Sequence, residues 1–289
     1  ILMGVLLERS KLAENLLANM AIACGRLPAG LGISVVLVGA LMAASTGIVG
    51  ATVVTMGLMS LPTMLKQGYS PSLSCGTICA TGTLGQIIPP SIALVLLGDI
   101  ISSAYQEAQL AKGIFNSSPV SVGDLFVGAV VPGLLLVAMY IVYLLAVGFF
   151  RPESAPRVES EAHVSFVALL KSILPPVLLI LLVLGSIITG AATPTEAAGI
   201  GAIAAAILAG IKGAVSREML HGVVKSTSKV TSMVFAILIG ASLFSMVFNG
   251  LGGDKLIHGF FNHLPGGVFT AVLVVMAVMF VLGFILDFI

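Results

Sequence analysis

Charge is what this sequence has least of. Only 9% of its 289 residues are Asp, Glu, Lys or Arg, 58% are hydrophobic, and the mean hydropathy is +1.17. Soluble globular proteins carry roughly 25% charged residues, so lipid rather than water is the solvent this chain is built for. A net charge of +1 excludes the concentrated basic surface that nucleic acid requires. Tryptophan is absent, which leaves any interfacial aromatic belt to the four Tyr and to Phe. Three cysteines cannot close a full set of disulfides. Cys75 and Cys79 lie one helical turn apart but read as small apolar helix residues rather than a metal pair. His258 and His263 lack helical ligand spacing. No G-x-S-x-G elbow, H-E-x-x-H pair or phosphate loop occurs, so no catalytic group is visible and the chain is not expected to be an enzyme.

What the chain has is long apolar runs. A spanning helix needs about 20 mostly apolar residues. Candidate segments are 1–7 (the tail of a helix), 31–65, 73–98, 125–150, 173–190, 196–211, 230–249 and 266–289. Residues 8–26 carry Glu8, Arg9, Lys11, Glu14 and Arg26 opposite Leu12, Leu16, Leu17, Met20 and Ala21, the pattern of a helix lying in the interface. Pro175-Pro176 is expected to begin a span, where proline costs little. The chain starts at Ile1 in mid-pattern and stops at Ile289 inside an apolar stretch, as expected of a fragment of a longer polytopic protein.

Lys and Arg orient these segments. Arg151, Arg157 and Lys171 in connector 151–172, and Lys212, Arg217, Lys225 and Lys229 in connector 212–229, put both connectors on the cytoplasmic face. Connector 99–124, with only Lys112, is then outside, and the region of Arg9, Lys11, Arg26 and Lys66 is inside. Segment 31–65 begins and ends inside, so it must enter and return as a re-entrant helical hairpin. Its middle, Ala44 to Thr52, is small and hydroxyl-rich, as a tight turn at membrane depth requires.

Segment 73–98 is expected to be broken. Thr81-Gly82-Thr83-Leu84-Gly85-Gln86-Ile87-Ile88-Pro89-Pro90 sits inside it, and the two prolines lack N–H donors. Broken backbone at membrane depth is tolerated only where protein or a water-filled cavity covers it, and its freed carbonyls suit ions and substrate. Small residues also mediate ordinary helix packing, but two such breaks close in sequence point to a site.

An internal repeat completes the frame. An offset of 237 residues aligns Leu27-Pro28-Ala29-Gly30 with Leu264-Pro265-Gly266-Gly267, and Val35–Val38 with Val272–Val275. Each copy has a helix, a polar connector, the L-P-(A/G)-G motif and an apolar segment. Charge bias places the copies in opposite orientations, an inverted-topology repeat of the kind found in secondary transporters. In this register Gly50 matches Asp287, an ionisable residue that follows the apolar run 268–286 and is a candidate functional group. Glu196 is read differently: Thr193-Pro194-Thr195-Glu196 has the spacing of a capping box rather than an ion site. Asp99 reads as interfacial, with Glu107 and Asp124 in the same outer connector.

The reading is an all-α polytopic membrane protein with an inverted-topology repeat, re-entrant hairpins and broken helices. Residues 1–30 are the end of a scaffold helix plus the interfacial helix. Residues 31–124 are the first transport repeat, comprising hairpin 31–65, broken helix 73–98 and outer loop 99–124. Residues 125–229 are scaffold helices, and 230–289 begin a second repeat.

At STGIVGATVVTMGLMSLPTMLKQGY (45–69), ATGTLGQIIPPSIALVLLGD (80–99), VGDLFVGAVVPGLLL (122–136) and GAATPTEAAGIGA (190–202), the chain resembles the large membrane subunit (DctM-like) of tripartite ATP-independent periplasmic (TRAP) transporters. It looks closest to the branch assigned to mannitol or chloroaromatic compounds. The resemblance implies sodium-driven import of an organic acid or similar solute across a bacterial inner membrane by an elevator mechanism. The implied partners are a small (DctQ-like) membrane subunit and a soluble periplasmic binding protein. No cofactor is implied beyond Na⁺ as coupling ion. Carried over by position, the ion and substrate site uses Ser45, Thr46, Gly47 and Gly50 at the hairpin tip, Thr81, Gly82, Thr83 and Gly85 at the break, and Asp287 in the second hairpin. Na⁺ itself falls to Ser45, Gly47, Gly50, Thr81 and Gly82. Many family members carry Ser-Gly-Ser where this chain has Gly47-Ile48-Val49-Gly50, so carbonyls are expected to replace hydroxyls there. A one-component carboxylate transporter driven by Na⁺ or H⁺ is the alternative; an intramembrane enzyme or a channel is a more distant one.

Overall fold

Residues 1–10, 12–46, 49–115, 119–157, 165–213 and 215–285 are described by a computed structural model. All the regular structure among them is helical: α1 (Leu2–Arg9), α2 (Leu12–Cys24), α3 (Gly30–Thr46), α4 (Val49–Lys66), α5 (Pro71–Ile87), α6 (Ile92–Ala111), α7 (Val122–Phe150), α8 (Phe166–Ile188), α9 (Pro194–Ile211), α10 (Arg217–Gly250), α11 (Gly253–Asn262) and α12 (Gly267–Leu282). Five stretches among the described residues are long and apolar enough to cross a membrane, beginning with the α5–α6 pair. Their apolar side chains face outward: on α7, Val131 is 71% and Val142 64% exposed. A soluble protein rarely exposes so continuous an apolar face; lipid covers it at no cost. The chain is therefore an all-helical polytopic membrane protein.

The chain divides into two compact units, Ile1–Thr227 and Ser228–Ile289. The core of the first is built on α3, the one helix whose apolar residues are buried nearly all round: Val35, Val36 and Val38 are at most 1% exposed. Such a helix must be wrapped by others, and α2, α4, α5, α7 and α8 do so. A Cβ on Gly32 would lie 3.7 Å from the Tyr69 ring, whereas one on Gly85 would lie 3.5 Å from Ala43 Cα. Hence α3 and α5 run parallel. Helix α4, whose end leads into Tyr69, returns antiparallel and packs on both of them. The expected hairpin 31–65 is this α3–α4 pair; its turn at Gly47-Ile48 lies outside the described residues.

Several boundaries differ from those expected. The amphipathic stretch 8–26 is split between α1 and α2 at Ser10, whose hydroxyl donates to the Leu7 carbonyl. On α2, Leu16, Leu17 and Met20 face protein, where Ser34 Oγ donates to the Met20 carbonyl at 2.9 Å. The connectors 99–124, 151–172 and 212–229 are shorter than expected, because α6 continues to Ala111 and α8 and α10 begin at Phe166 and Arg217. Pro175-Pro176 does not begin its span but lies inside α8. The capping box at Thr193 is present as expected. Thr193 Oγ1 accepts from the Glu196 amide at 3.3 Å, and Glu196 Oε2 accepts from the Thr193 amide at 2.8 Å. Thr193→Ala is expected to destabilise α9 by about 1 kcal/mol, read as a lower melting temperature; an unchanged melt would contradict the capping role.

The second unit holds the rest of α10, then α11 and α12. It carries a backbone mark of the repeat. Helices α3 and α12 begin at Gly30 and Gly267, 237 residues apart. The preceding residues, Ala29 (φ 55°) and Gly266 (φ 99°), are both left-handed. That conformation is unfavourable for alanine and free for glycine; in the second unit Gly267 is left-handed as well (φ 64°), whereas its counterpart Gly30 is not, so the two entry turns are similar without being identical.

Candidate functional site

The expected site residues divide into those the fold brings together and those it does not. Thr81, Gly82 and Gly85 share one face of α5, spaced as i, i+1 and i+4, and that face is pressed into the hairpin. A Cβ on Gly39 of α3 would run into the Thr81 methyl, and one on Gly82 would run into the Val53 side chain of α4. Glycine at 82 leaves room for the Val53 side chain, which stands where a Cβ would be, and lets the α4 backbone come close, with Val53 Cα 3.3 Å from that position. Gly85 rests against Ala43, with the Ala43 carbonyl 3.4 Å from where a Cβ would stand. The end of α5 thus meets the hairpin next to its tip, two residues from Ser45 and three from Gly50.

Thr83 points elsewhere. It is exposed, and its hydroxyl donates to the Ala80 carbonyl at 2.7 Å, so it is not aimed at the hairpin. Gly50 lies in the first turn of α4 and is exposed. Ser45 and Thr46 belong to the last turn of α3, their side chains outside the description. Gly47 and Asp287 lie outside the described residues.

The break also falls later than the run Thr81–Gly85. Those residues are regular helix, and the chain leaves it at Ile88, with α6 starting after Ser91. Backbone chemistry explains the shift. A proline cannot donate to the carbonyl four residues before it, so Pro89 and Pro90 strip donors from the carbonyls of Gly85 and Gln86. Ser91 repairs one of them: its Oγ donates to the Gln86 carbonyl at 2.8 Å while accepting from the Leu94 amide at 3.3 Å, which caps α6. The Gly85 carbonyl is left without its helical donor. Helix α3 ends beside it at Thr46, and the last four carbonyls of a helix have no intrahelical partner.

Two helix C-termini therefore converge, each the negative end of its dipole. Further back on the same α3–α5 seam, six to seven residues before either helix ends, Thr81 is fully buried against Gly39, and its hydroxyl has no hydrogen-bond partner among the described residues. The carbonyl oxygens at two negative helix ends are a hard oxygen environment that suits a monovalent cation, and the Thr81 hydroxyl adds a spare oxygen deeper on the same seam. They offer no acid, base or nucleophile. Among the described residues no cluster of three His, Cys, Asp or Glu side chains is placed to hold a metal.

One contact escaped sequence reasoning. Glu8 of α1, half-buried, accepts from Thr55 Oγ1 of α4 at 2.7 Å. The adjacent Arg9 donates to Ser226 Oγ at 3.1 Å. Glu8 counts in the sequence only as one charge of an amphipathic stretch; a pairing 47 residues away leaves no local signal.

Comparison with known proteins follows the same line. A family profile described as "Tripartite ATP-independent periplasmic transporter, DctM component" matches residues 1–289. The C4-dicarboxylate TRAP transporter large permease protein DctM of Pseudomonas aeruginosa is 33% identical over 254 residues, covering 86% of this chain and 54% of that protein. Its namesake in Rhodobacter capsulatus is 31% identical, covering 86% and 55%. The ectoine TRAP transporter large permease protein TeaC of Halomonas elongata is 30% identical, covering 82% and 52%. The chain spans about half the length of these curated relatives.

Proposed function

The chain belongs to the DctM component family of tripartite ATP-independent periplasmic transporters, and from that premise we propose that it forms one ion-binding half of a sodium-coupled importer. The observation that carries this reading is the junction of α3 and α5, where two helix C-termini meet near the hairpin tip and the unpartnered Thr81 hydroxyl is buried further along the same seam. Half-helix C-termini and unwound carbonyls are the groups with which secondary transporters hold coupling cations. The carbonyls of Gly85 and of the α3 end, and Thr81 deeper on the α3–α5 seam, are the cation-binding groups; Ser45, Thr46, Gly47 and Gly50 belong to the hairpin tip in this reading. Gly82 sets the spacing. Asp287 belongs to the matching second hairpin.

In this reading α3, α4 and α5 move as one body against α7 and α8, as an elevator in a bacterial inner membrane. Their mutual packing through glycine suits a rigid carrier. The substrate is an organic acid or related small solute. Relatives named for C4-dicarboxylates and for ectoine differ too much in charge to narrow it. A small membrane subunit and a periplasmic binding protein complete the assembly.

Uptake by proteoliposomes holding the full-length protein and its small subunit tests this. Accumulation is expected to require both an inward Na⁺ gradient and added binding protein. Uptake without the binding protein would select a one-component transporter instead, and downhill flux indifferent to Na⁺ would indicate a channel.

A further inference from the structure

A second feature of the first unit lies away from the ion junction. Between α5 and α7 is a cavity of about 600 Å³, closed at one end by Arg151. Among the described residues, Arg151 is the single charged residue lining it. Ser70 and Ser72, at the N-terminal turn of α5 and so at the positive end of that helix, line the cavity with it, the Ser70 hydroxyl capping the helix by accepting from the Leu73 amide. Away from this polar end the walls become apolar, through Leu73, Val147 and Leu144. From Arg151 to Tyr140 the α7 wall runs about 16 Å at 1.5 Å per residue. Gly76 lines the cavity, and a Cβ added there would meet nothing within 4 Å, so the space is open. Thr77, 8% exposed, also lines it.

These properties together fit an amphiphile. A small soluble anion would satisfy Arg151 and leave the apolar trough wet. A neutral hydrocarbon would fill the trough and leave the cationic end bare. Met139, Val142 and Phe150, chain neighbours of the lining residues on α7, are 58%, 64% and 78% exposed on the outward apolar face of that helix, the side that lipid covers. Tyr143, 60% exposed on the cavity rim, is an interfacial residue type. The Lys and Arg bias assigns the Arg151 end to the cytoplasmic side, where basic pockets between helices meet anionic headgroups.

We propose that this cavity holds one anionic phospholipid, its phosphate at Arg151 and the α5 N-terminus and an acyl chain along Leu73, Leu144 and Val147. The proposal goes beyond the transport reading and is read out by lipid occupancy alone. The full-length protein is reconstituted in nanodiscs of phosphatidylcholine with a minor fraction of phosphatidylglycerol, then released for native mass spectrometry of retained lipid. Phosphatidylglycerol is expected to be retained in preference to phosphatidylcholine. Arg151→Gln is expected to lower that preference about fivefold, the worth of one basic residue at a membrane surface, and Arg151→Lys to restore most of it. Gly76→Phe, which fills the trough, should reduce retention of both lipids. Arg151 is exposed at a helix end, so its variants test the site even if Gly76→Phe does not fold. A preference unchanged in Arg151→Gln would overturn the proposal. So would displacement of the retained lipid by succinate or inorganic phosphate, which would assign the cavity to a soluble anion.

Discussion

Thr81→Val is expected to raise the melting temperature of the full-length protein in sodium-free buffer and to abolish the further rise that Na⁺ produces. The two effects have separate origins. A buried hydroxyl without a partner costs about 1–3 kcal/mol, and Thr81 Oγ1 is in that position, on a residue that is 0% exposed. Valine keeps the methyl that fits against Gly39 and replaces the hydroxyl with a group of the same shape. The empty protein is therefore stabilised. A bound ion stabilises the folded state by an amount set by its concentration over its Kd, about 2.7 kcal/mol at a hundredfold excess. Removing a ligand oxygen weakens Kd and erases that increment. Melting curves in sodium chloride and choline chloride check both halves at once. A variant that is stabilised yet still shifted by sodium would show the hydroxyl to be an unfilled polar group and nothing more. A destabilised variant would reveal an unrecognised partner.

This pairing explains how much of the site was legible in the sequence. Thr81, Gly82 and Gly85 stood out as small and polar within an apolar run, and charge bias alone made 31–65 a hairpin. The fold puts that hairpin against those residues. What the run could not display was where the helix stops. A proline acts on the carbonyl four residues before it, so Pro89 and Pro90 free Gly85 and Gln86 while the backbone parts only at Ile88. Nor does a Pro-Pro pair by itself decide the outcome. Pro175-Pro176 has the same composition and lies within a continuous helix. Pro89-Pro90 is followed by Ser91, which caps a new helix and repairs the Gln86 carbonyl. Pro175-Pro176 is flanked by Leu174 and Val177, which can do neither, so continuing the helix is the better option there. Polar content misled in a similar way at the start of α10. Residues 217–229 read as a connector because they carry Lys225, Lys229 and His221, yet no proline interrupts them and the helix runs through. The L-P-(A/G)-G motif at 27–30 and 264–267 coincides with a left-handed residue at its third position in both places, which is as far as the backbone follows the expected repeat. The Glu8–Thr55 contact was not legible, because nothing local pairs two helices that meet only in the folded chain.

Gly82→Leu is expected to cut sodium-driven uptake by about tenfold or more, with the protein still inserted in the membrane. The Val53 backbone as well as its side chain stands in the way: Val53 Cα lies 3.3 Å from where a Gly82 Cβ would be, besides the closer methyl. Overpacking a tight junction costs roughly 1–3 kcal/mol, and here the displaced parts are α4 and the end of α5, which frame the proposed ion site. The companion variant separates spacing from ligation. Gly82→Ala alone meets mainly the Val53 side chain, so Val53→Ala in the same molecule makes room and is expected to recover most of the uptake lost in Gly82→Ala. Leucine at 82 reaches past the vacated methyl into the α4 backbone, so Val53→Ala is expected to leave Gly82→Leu inactive. Recovery of the alanine pair assigns Gly82 to helix spacing, with its carbonyl contributing only through position. If Gly82→Leu transports as well as the parent, α5 and the hairpin do not need their close approach. The ion junction then cannot depend on it, and the assignment of Thr81 and Gly85 to that junction falls as well.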